Sequence, residues 1–540
     1  MYKSMIISDS QMRSIDKLAR SGNNDLGFAY MQKAGAGAAG VLQYKWGAFD
    51  EDEVIVICGK GNNGGDGLVM AQALKELGAN PEVLLVSHPE NFKNEAQLAW
   101  LEFLESQIPW KSWNGESLEW EESDIIVDAI LGLGSVGEPQ EDIKPLLNSI
   151  HEASDNGIYL VALDAPTGNL NADLTVLFGF TRWSAIDPLS SQYFGELGLV
   201  NLEYPEAILR GFLGVNETPH LLDSQWYLPF IPSRDALGDK RSHGTGLLIA
   251  GGENMGGAAV LAGFGALRLG IGYLKIGCAS TERLLVQSQL IEAPYIDWLA
   301  LDYGGTQKIW TEVDAIAMGP GLGLDTNVQE KVIHWYQNFP GTMVLDADGL
   351  NAFKGRSELL KLGSNTRKGA RILTPHRGEF ERLFGPLDEP LESIVKRVSS
   401  IAQDYGIEIL LKGPVSILAS SRGEVVLYKQ ASSALARAGT GEILTGILLA
   451  LSTRWLAPEF AFPSLALGVW LHGMAADLAK DDLSEISMRS SEIPNYLGQA
   501  VEYLLDQVLD ENDDFMDRFG DIEDDSFGGF DDLDDIEDSD

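Results

Sequence analysis

The chain has 540 residues, 45% of them hydrophobic, with 80 acidic against 39 basic side chains and a formal net charge of −41. One hydrophobic core rarely grows past about 250–300 residues, so more than one domain is expected. The acidic surplus argues against nucleic acid and anionic membranes as main partners and leaves an anionic ligand to local amide clusters. Much of the charge is terminal: residues 510–540 hold 16 acidic side chains and one arginine, leaving −26 over the other 509 residues. That tail alternates Asp and Glu with Phe, Ile, Leu and Gly and is too poor in apolar residues to fold alone. Cys58 and Cys278 stand far apart, with neither a disulfide framework nor metal-ligand spacing, which favours a reducing compartment. Residues 1–10 lack the apolar stretch of a signal peptide, and Arg268 and Lys275 interrupt the best candidate for a membrane span. A cytoplasmic protein is expected.

In chain order, residues 11–46 read as helices, the second rich in Ala and Gly. A strand at 54–58 runs into Gly59-Lys60-Gly61-Asn62-Asn63-Gly64-Gly65-Asp66-Gly67-Leu68-Val69, then a helix to about residue 77 and a strand at 83–86. Strand, glycine turn, helix, strand is a βαβ unit and predicts a parallel sheet with the turn at its ligand-binding edge. Two further strand ends carry polar residues: 125–127 into Asp128, and 159–163 into Asp164-Ala165-Pro166-Thr167-Gly168. Each Asp alone reads as a turn or cap residue. Three such ends together point to an oxygen-lined site of the kind that suits hard cations.

The run 62–69, with Asp128-Ala129-Ile130-Leu131-Gly132-Leu133-Gly134, Leu163-Asp164-Ala165-Pro166-Thr167-Gly168 and Met31-Gln32-Lys33-Ala34-Gly35, resembles the NAD(P)H-hydrate epimerase domain over about residues 1–210. The resemblance implies a Rossmann-like sheet that binds the hydrated nicotinamide cofactor and a potassium ion. Asn62, Asn63, Gly64, Gly65 and Asp66, with Gly132 and Gly134, would contact the hydrate. Asn63, Asp128 and Thr167 would ligate potassium, and Asp164 would be the acid/base. The chain departs from the family pattern in a short loop after Thr167-Gly168, in the lack of an arginine at 135–139, and in Thr181-Arg182 where Pro-Lys is usual. An arginine keeps its proton near neutral pH, so it can hold charge but is no base.

Residues 202–236 read as a connecting region with scattered prolines, and the boundary is placed near 215. The second half repeats strand-then-turn: 246–249 into Gly251-Gly252, then a helix opening at Gly257-Ala258-Ala259. Residues 315–318 lead into Gly319-Pro320-Gly321-Leu322-Gly323, and 343–345 into Asp346-Ala347-Asp348. Residues 371–373 lead into Thr374-Pro375-His376-Arg377-Gly378-Glu379, and 409–411 into Lys412-Gly413-Pro414-Val415-Ser416. These turns should share one rim of a second α/β sheet. Read singly, Asp346 and Asp348 could be caps, His376 a turn residue and Lys412 a surface lysine. Finally, Ala438-Gly439-Thr440-Gly441-Glu442 opens an apolar helix at 443–451. Uncovered amides at such a start can hold a phosphate, with Glu442 beside it as an acid/base.

Together these runs, with Leu471-His472-Gly473, resemble the ADP-dependent NAD(P)H-hydrate dehydratase domain over about residues 230–500, which implies a ribokinase-like fold. Ala258, Gly321 and His376 would contact the hydrate. Lys412, Gly413, Pro414, Val415, Ser416 and Gly441 would hold ADP, with room for magnesium. Glu442 stands where the family has Asp, as the catalytic and substrate-contacting carboxylate. The expected organisation is 1–215, 216–509 and an acidic tail at 510–540, in a homo-oligomer without nucleic-acid or membrane partners. A ribokinase-like small-molecule kinase and a nucleotide-binding sensor are the competing readings.

Overall fold

The computed structural model describes residues 4–20, 24–115, 120, 123–132, 141–212, 218–223, 226–232, 237–361, 369–429 and 433–506. The readings on Gly134, the 215 boundary and the 510–540 tail lie outside these residues.

The strands of the first half are β1 (Ile6–Ile7), β2 (Glu53–Cys58), β3 (Asn80–Leu85), β4 (Trp110–Ser112), β5 (Ile125–Ala129), β6 (Tyr159–Leu163), β7 (Leu174–Phe178), β8 (Thr181–Arg182) and β9 (Glu196–Val200). Among the described residues, seven of them form one sheet in the order β4-β3-β2-β5-β6-β7-β9, and every pairing in it is parallel. Parallel neighbours need crossovers, and the crossovers put helices on both faces. Val54, Val56 and Cys58 of β2 therefore pack with Met12, Ala38 and Leu68 on one face. Ile57 packs with Leu146 and Ile150 on the other. The strands are apolar on both sides for this reason, and β5 runs on through Asp128, which the sequence reading placed after the strand.

The second half contributes β10 (His220–Leu221), β11 (Thr245–Ile249), β12 (Tyr273–Gly277), β13 (Ala315–Met318), β14 (Thr342–Leu345), β15 (Arg371–Leu373), β16 (Glu408–Leu411), β17 (Val415–Ala419) and β18 (Val425–Lys429). Their sheet runs β10-β18-β17-β16-β15-β14-β13-β11-β12. It is parallel except at β16–β17 and β17–β18, because Lys412, Gly413 and Pro414 are too short a link for a crossover. Alternation again fills two cores. Leu248, Ala317 and Val344 face the Gly256–Arg268, Thr440–Ser452 and Ala461–Leu483 helices. Ile249, Met318 and Leu345 face Trp335, Phe353 and Phe380. The first two of those helices pack so closely that a Cβ on Gly446 would lie 1.8 Å from the Ala262 carbonyl oxygen.

Residues 202–236 are less of a plain connection than expected: they hold a Glu206–Phe212 helix and β10, an edge strand of the second sheet. The first strand ties the halves together. β1 pairs in parallel with β8, Ile7 opposite Arg182, while Met5 bridges to His220 and Leu221 N–H donates to the Ser4 carbonyl at 2.7 Å. Ile6 is buried with Ile186 in a core of the second half. Among the described residues no helix is long and apolar enough to cross a membrane.

Candidate functional site

Strand order in the first sheet reverses at β2, with β3 and β4 to one side and β5, β6 and β7 to the other. Open α/β sheets bind ligands where their order reverses, at the carboxyl ends of the strands. There the glycine turn enters the Asn62–Glu76 helix with Gly61 as N-cap and no side-chain cap, which leaves amides for an anion. A Cβ on Gly64 would sit 1.8 Å from the Gly59 carbonyl oxygen, so no larger residue fits this turn.

Asp128 is buried and accepts from Thr167 N–H at 2.6 Å, Thr167 Oγ1 at 2.7 Å and Ile130 N–H at 3.1 Å. Burial nevertheless pushes its carboxyl up to about 6, the three bonds acting in the opposite sense. Thr167 Oγ1 accepts in turn from Leu131 N–H at 3.1 Å. Asn63 is buried beside Gly132, where a Cβ would lie 3.1 Å from the Asn63 Cγ. Among the described residues, neither its Oδ1 nor its Nδ2 has a partner. A buried polar atom left alone costs about 1–3 kcal/mol, so this oxygen is suited to a ligand. Asn63, Asp128 and Thr167 carry oxygen donors of the kind that suits a hard cation.

Asp164 leaves β6 with φ of 67°, a left-handed conformation unusual for a residue with a side chain. Its Oδ1 lies 2.9 Å from Nη1 of the fully buried Arg182, and its carbonyl accepts from Arg182 Nη2. Asp16 stands nearby, accepting from Tyr204 Oη and from Arg20 Nη2 at 3.2 Å. Burial raises the carboxyls of Asp16 and Asp66, Asp66 well above the usual range, with Asp164 pushing both the same way. Asp66 thus keeps its proton to higher pH than an exposed aspartate does.

In the second sheet the reversal is at β11, flanked by β12 and β13. The turns after β13, β14 and β15 lock onto their neighbours: Gly319 N–H donates to Ile249 O, Asp346 N–H to Met318 O and Thr374 N–H to Leu345 O. Gly321 and Ala258 meet, a Cβ on the glycine falling 3.1 Å from that of Ala258.

At the centre lies Asp346, 3% exposed. It occupies an N-cap position without making a cap bond, so the cap reading is corrected. Its Oδ1 accepts from Lys412 Nζ at 2.8 Å and Thr374 Oγ1 at 2.8 Å, and its Oδ2 from Thr445 Oγ1 at 2.9 Å. Lys412 is no surface lysine; its side chain is 23% exposed. Burial pulls its ammonium down, but Asp346, Glu379 and Glu442 outweigh this and the net shift is upward. A Cβ on Gly441 would lie 3.4 Å from Lys412 Nζ, so the ammonium adjoins the first turn of the Thr440–Ser452 helix. Cation and helix N-terminus together make a seat for phosphate. Glu442 is half-buried on that same turn.

His376 does cap a helix, Arg377–Phe384: its Nδ1 accepts from Gly378 N–H at 3.0 Å, and Glu379 Oε2 accepts from His376 N–H at 2.9 Å. Its backbone bridges to Lys412, which keeps it on the rim. Gly413 and Pro414 lie in the β16–β17 link and Val415 and Ser416 open β17, with Ser416 Oγ donating to the Gly413 carbonyl at 3.3 Å.

Sequence reasoning missed Asp346, Thr374 and Thr445 as site residues. The signal for Thr445 was its spacing, one helical turn beyond Gly441. It also left His472 without a role. That ring is buried, bonded to the Thr440 backbone and held neutral by burial, down to about 3. Among the described residues its Nε2 has no partner.

Two α/β units, each with a glycine turn at its strand reversal and a carboxylate paired with a buried cation, have the arrangement by which enzymes built on open α/β sheets take their ligands. Residues 246–498 match the family described as NAD(P)H-hydrate dehydratase, and residues 28–181 that described as YjeF-related protein N-terminus. The bifunctional NAD(P)H-hydrate repair enzyme Nnr of Methanopyrus kandleri is 31% identical over 525 residues, 92% of this chain and 97% of that protein. The enzyme of the same name from Salinibacter ruber is 31% identical over 469 residues, 80% of this chain and 84% of its own. The chain belongs to the family of bifunctional NAD(P)H-hydrate repair enzymes. The crystal structure of a Bacillus subtilis ADP/ATP-dependent NAD(P)H-hydrate dehydratase, co-crystallised with ATP/Mg2+, covers 53% of this chain and 98% of that chain at 32% identity, TM-score 0.45.

Proposed function

We propose that the two crevices divide the repair of hydrated NADH and NADPH between them. The first half is the NAD(P)H-hydrate epimerase and the second the NAD(P)H-hydrate dehydratase. In the first, Asn62, Asn63, Gly64, Gly65, Asp66, Gly132 and Gly134 receive the hydrate, and Asp164 moves the proton at the carbon bearing the hydroxyl. Potassium, held by Asn63, Asp128 and Thr167, supplies fixed positive charge; the unpartnered Asn63 oxygen supports this. In the second, Ala258, Gly321 and His376 receive the hydrate and Glu442 handles the proton at the departing hydroxyl. ADP, held by residues 412–416 and Gly441, supplies phosphate chemistry that makes hydroxide a better leaving group. Magnesium would be held with that phosphate.

The observation that carries the reading is Glu442 on the same helical turn as the amides that adjoin Lys412 Nζ. A kinase has no use for the first crevice. A cytoplasmic homo-oligomer completes the reading. Two free, buried cysteines support a reducing compartment. Incubating the full chain with hydrated NADH and ADP should restore the absorbance of the reduced nicotinamide. Glu442→Gln should abolish that recovery while ADP affinity stays within about threefold; recovery at the parental rate would remove Glu442 from the mechanism.

A further inference from the structure

We infer that Arg182 is the positioning residue of the epimerase crevice, gripping Asp164 at two points, its carboxylate and its own backbone carbonyl. The inference rests on the reading of Asp164 as the acid/base. Asp164 holds φ of 67°, a conformation that persists in a residue with a Cβ only where its surroundings impose it. One guanidinium meets it from two sides: Nη1 stands 2.9 Å from Oδ1 as an ion pair, and Nη2 donates to the carbonyl of the same residue, while the Asp164 N–H is fixed separately on the Val176 carbonyl at 2.8 Å. A planar fork can fix backbone and side chain together, which a single ammonium centre cannot do in the same way. Arg182 also keeps its proton, so it holds Asp164 in place without competing for the proton Asp164 must move.

The arginine is itself immobile. It is 0% exposed, and β8, which carries it, is paired with β1 through Ile7 opposite Arg182. Such a buried cation is tolerated because carboxylates face it. Asp164 pairs with it directly, and Asp16 lies within electrostatic reach, anchored by Tyr204 and Arg20. Lysine at 182 keeps the charge balance and loses the fork.

The test uses the full chain and two assays: interconversion of separated R and S hydrates, and ADP-supported dehydration of the S hydrate. Arg182→Lys is expected to lower kcat for epimerisation about 10–100-fold, the scale of a misplacement near 1 Å. Its KM should stay within about threefold and dehydration should be unchanged, with the melting temperature lowered by a few degrees at most. Epimerisation at the parental kcat would overturn the inference. So would a loss of dehydration as large as that of epimerisation, accompanied by a large fall in melting temperature, which would make Arg182 merely structural. Asp164→Asn separates the two claims. If it epimerises at the parental rate, the Asp164 assignment fails and the inference with it. If it is inactive while Arg182→Lys is unimpaired, the Arg182 inference alone fails.

Discussion

Replacing Lys412 with methionine keeps the reach of the side chain and deletes its charge. Asp346, 3% exposed, then holds its negative charge on two hydroxyls, Thr374 at 2.8 Å and Thr445 at 2.9 Å. Breaking a buried ion pair from one side costs about 3–5 kcal/mol, because the charge left behind is neither hydrated nor paired. The lysine side chain is 23% exposed, so water can enter the gap; the low end, about 3 kcal/mol, is expected. At about 2–4 °C per kcal/mol for a domain of this size, the second half should melt about 6–12 °C lower. Adding Asp346→Asn removes the stranded charge and should recover half or more of the loss, a coupling that only interacting sites show. Calorimetry of the full chain reads both numbers. A Lys412→Met protein melting within about 2 °C of the parent, or a double variant whose loss equals the sum of the single losses, would refute this account of the pair.

Gly446→Ala should destabilise by about 3 kcal/mol or more, because its Cβ would fall 1.8 Å from a backbone carbonyl that can yield only if two packed helices separate; thermal unfolding of the full chain checks it. Glu408 is 5% exposed, with its carboxylate on the Ser421 backbone and hydroxyl, and burial pushes it up to about 7. Below about 4.5 the carboxyl is protonated whether or not the chain is folded, and nothing is lost. As pH rises from there through 7, the unfolded chain releases its proton first and folding weakens, by about 3 kcal/mol in all. Glu408→Gln should therefore leave stability little changed at pH 4.5 and raise it at pH 8. An equal effect at both, read by urea unfolding, would refute the assignment.

The strand-and-turn rhythm was legible because a strand covered on both faces is a short apolar run, and the turns at its end must be small or polar. Asp128 and Thr167 drew notice as polar residues at strand ends, although no pattern could reveal that they bond to each other. Asp346 was harder. An aspartate before a short helix reads as a cap, and only the fold brings Lys412 and Thr445, 66 and 99 residues away, onto its two oxygens. The antiparallel return of β17 and the role of residues 220–221 as an edge strand were hidden for the same reason, since pairing partners are not local. Arg182 stood out as a departure from the family pattern, and its grip on Asp164 became visible only in three dimensions.

The strand at Ile6–Ile7 makes severing this polypeptide at its middle a poor way to obtain independent halves. A fragment beginning after residue 215 would lack Ile6, which fills a core it does not encode, and would leave His220 without Met5 opposite it. The complementary fragment would carry that same isoleucine with nothing to cover it. A large substitution at Ile6 or Ile7 would therefore be felt in both halves at once, since residues 4–7 are the latch between them.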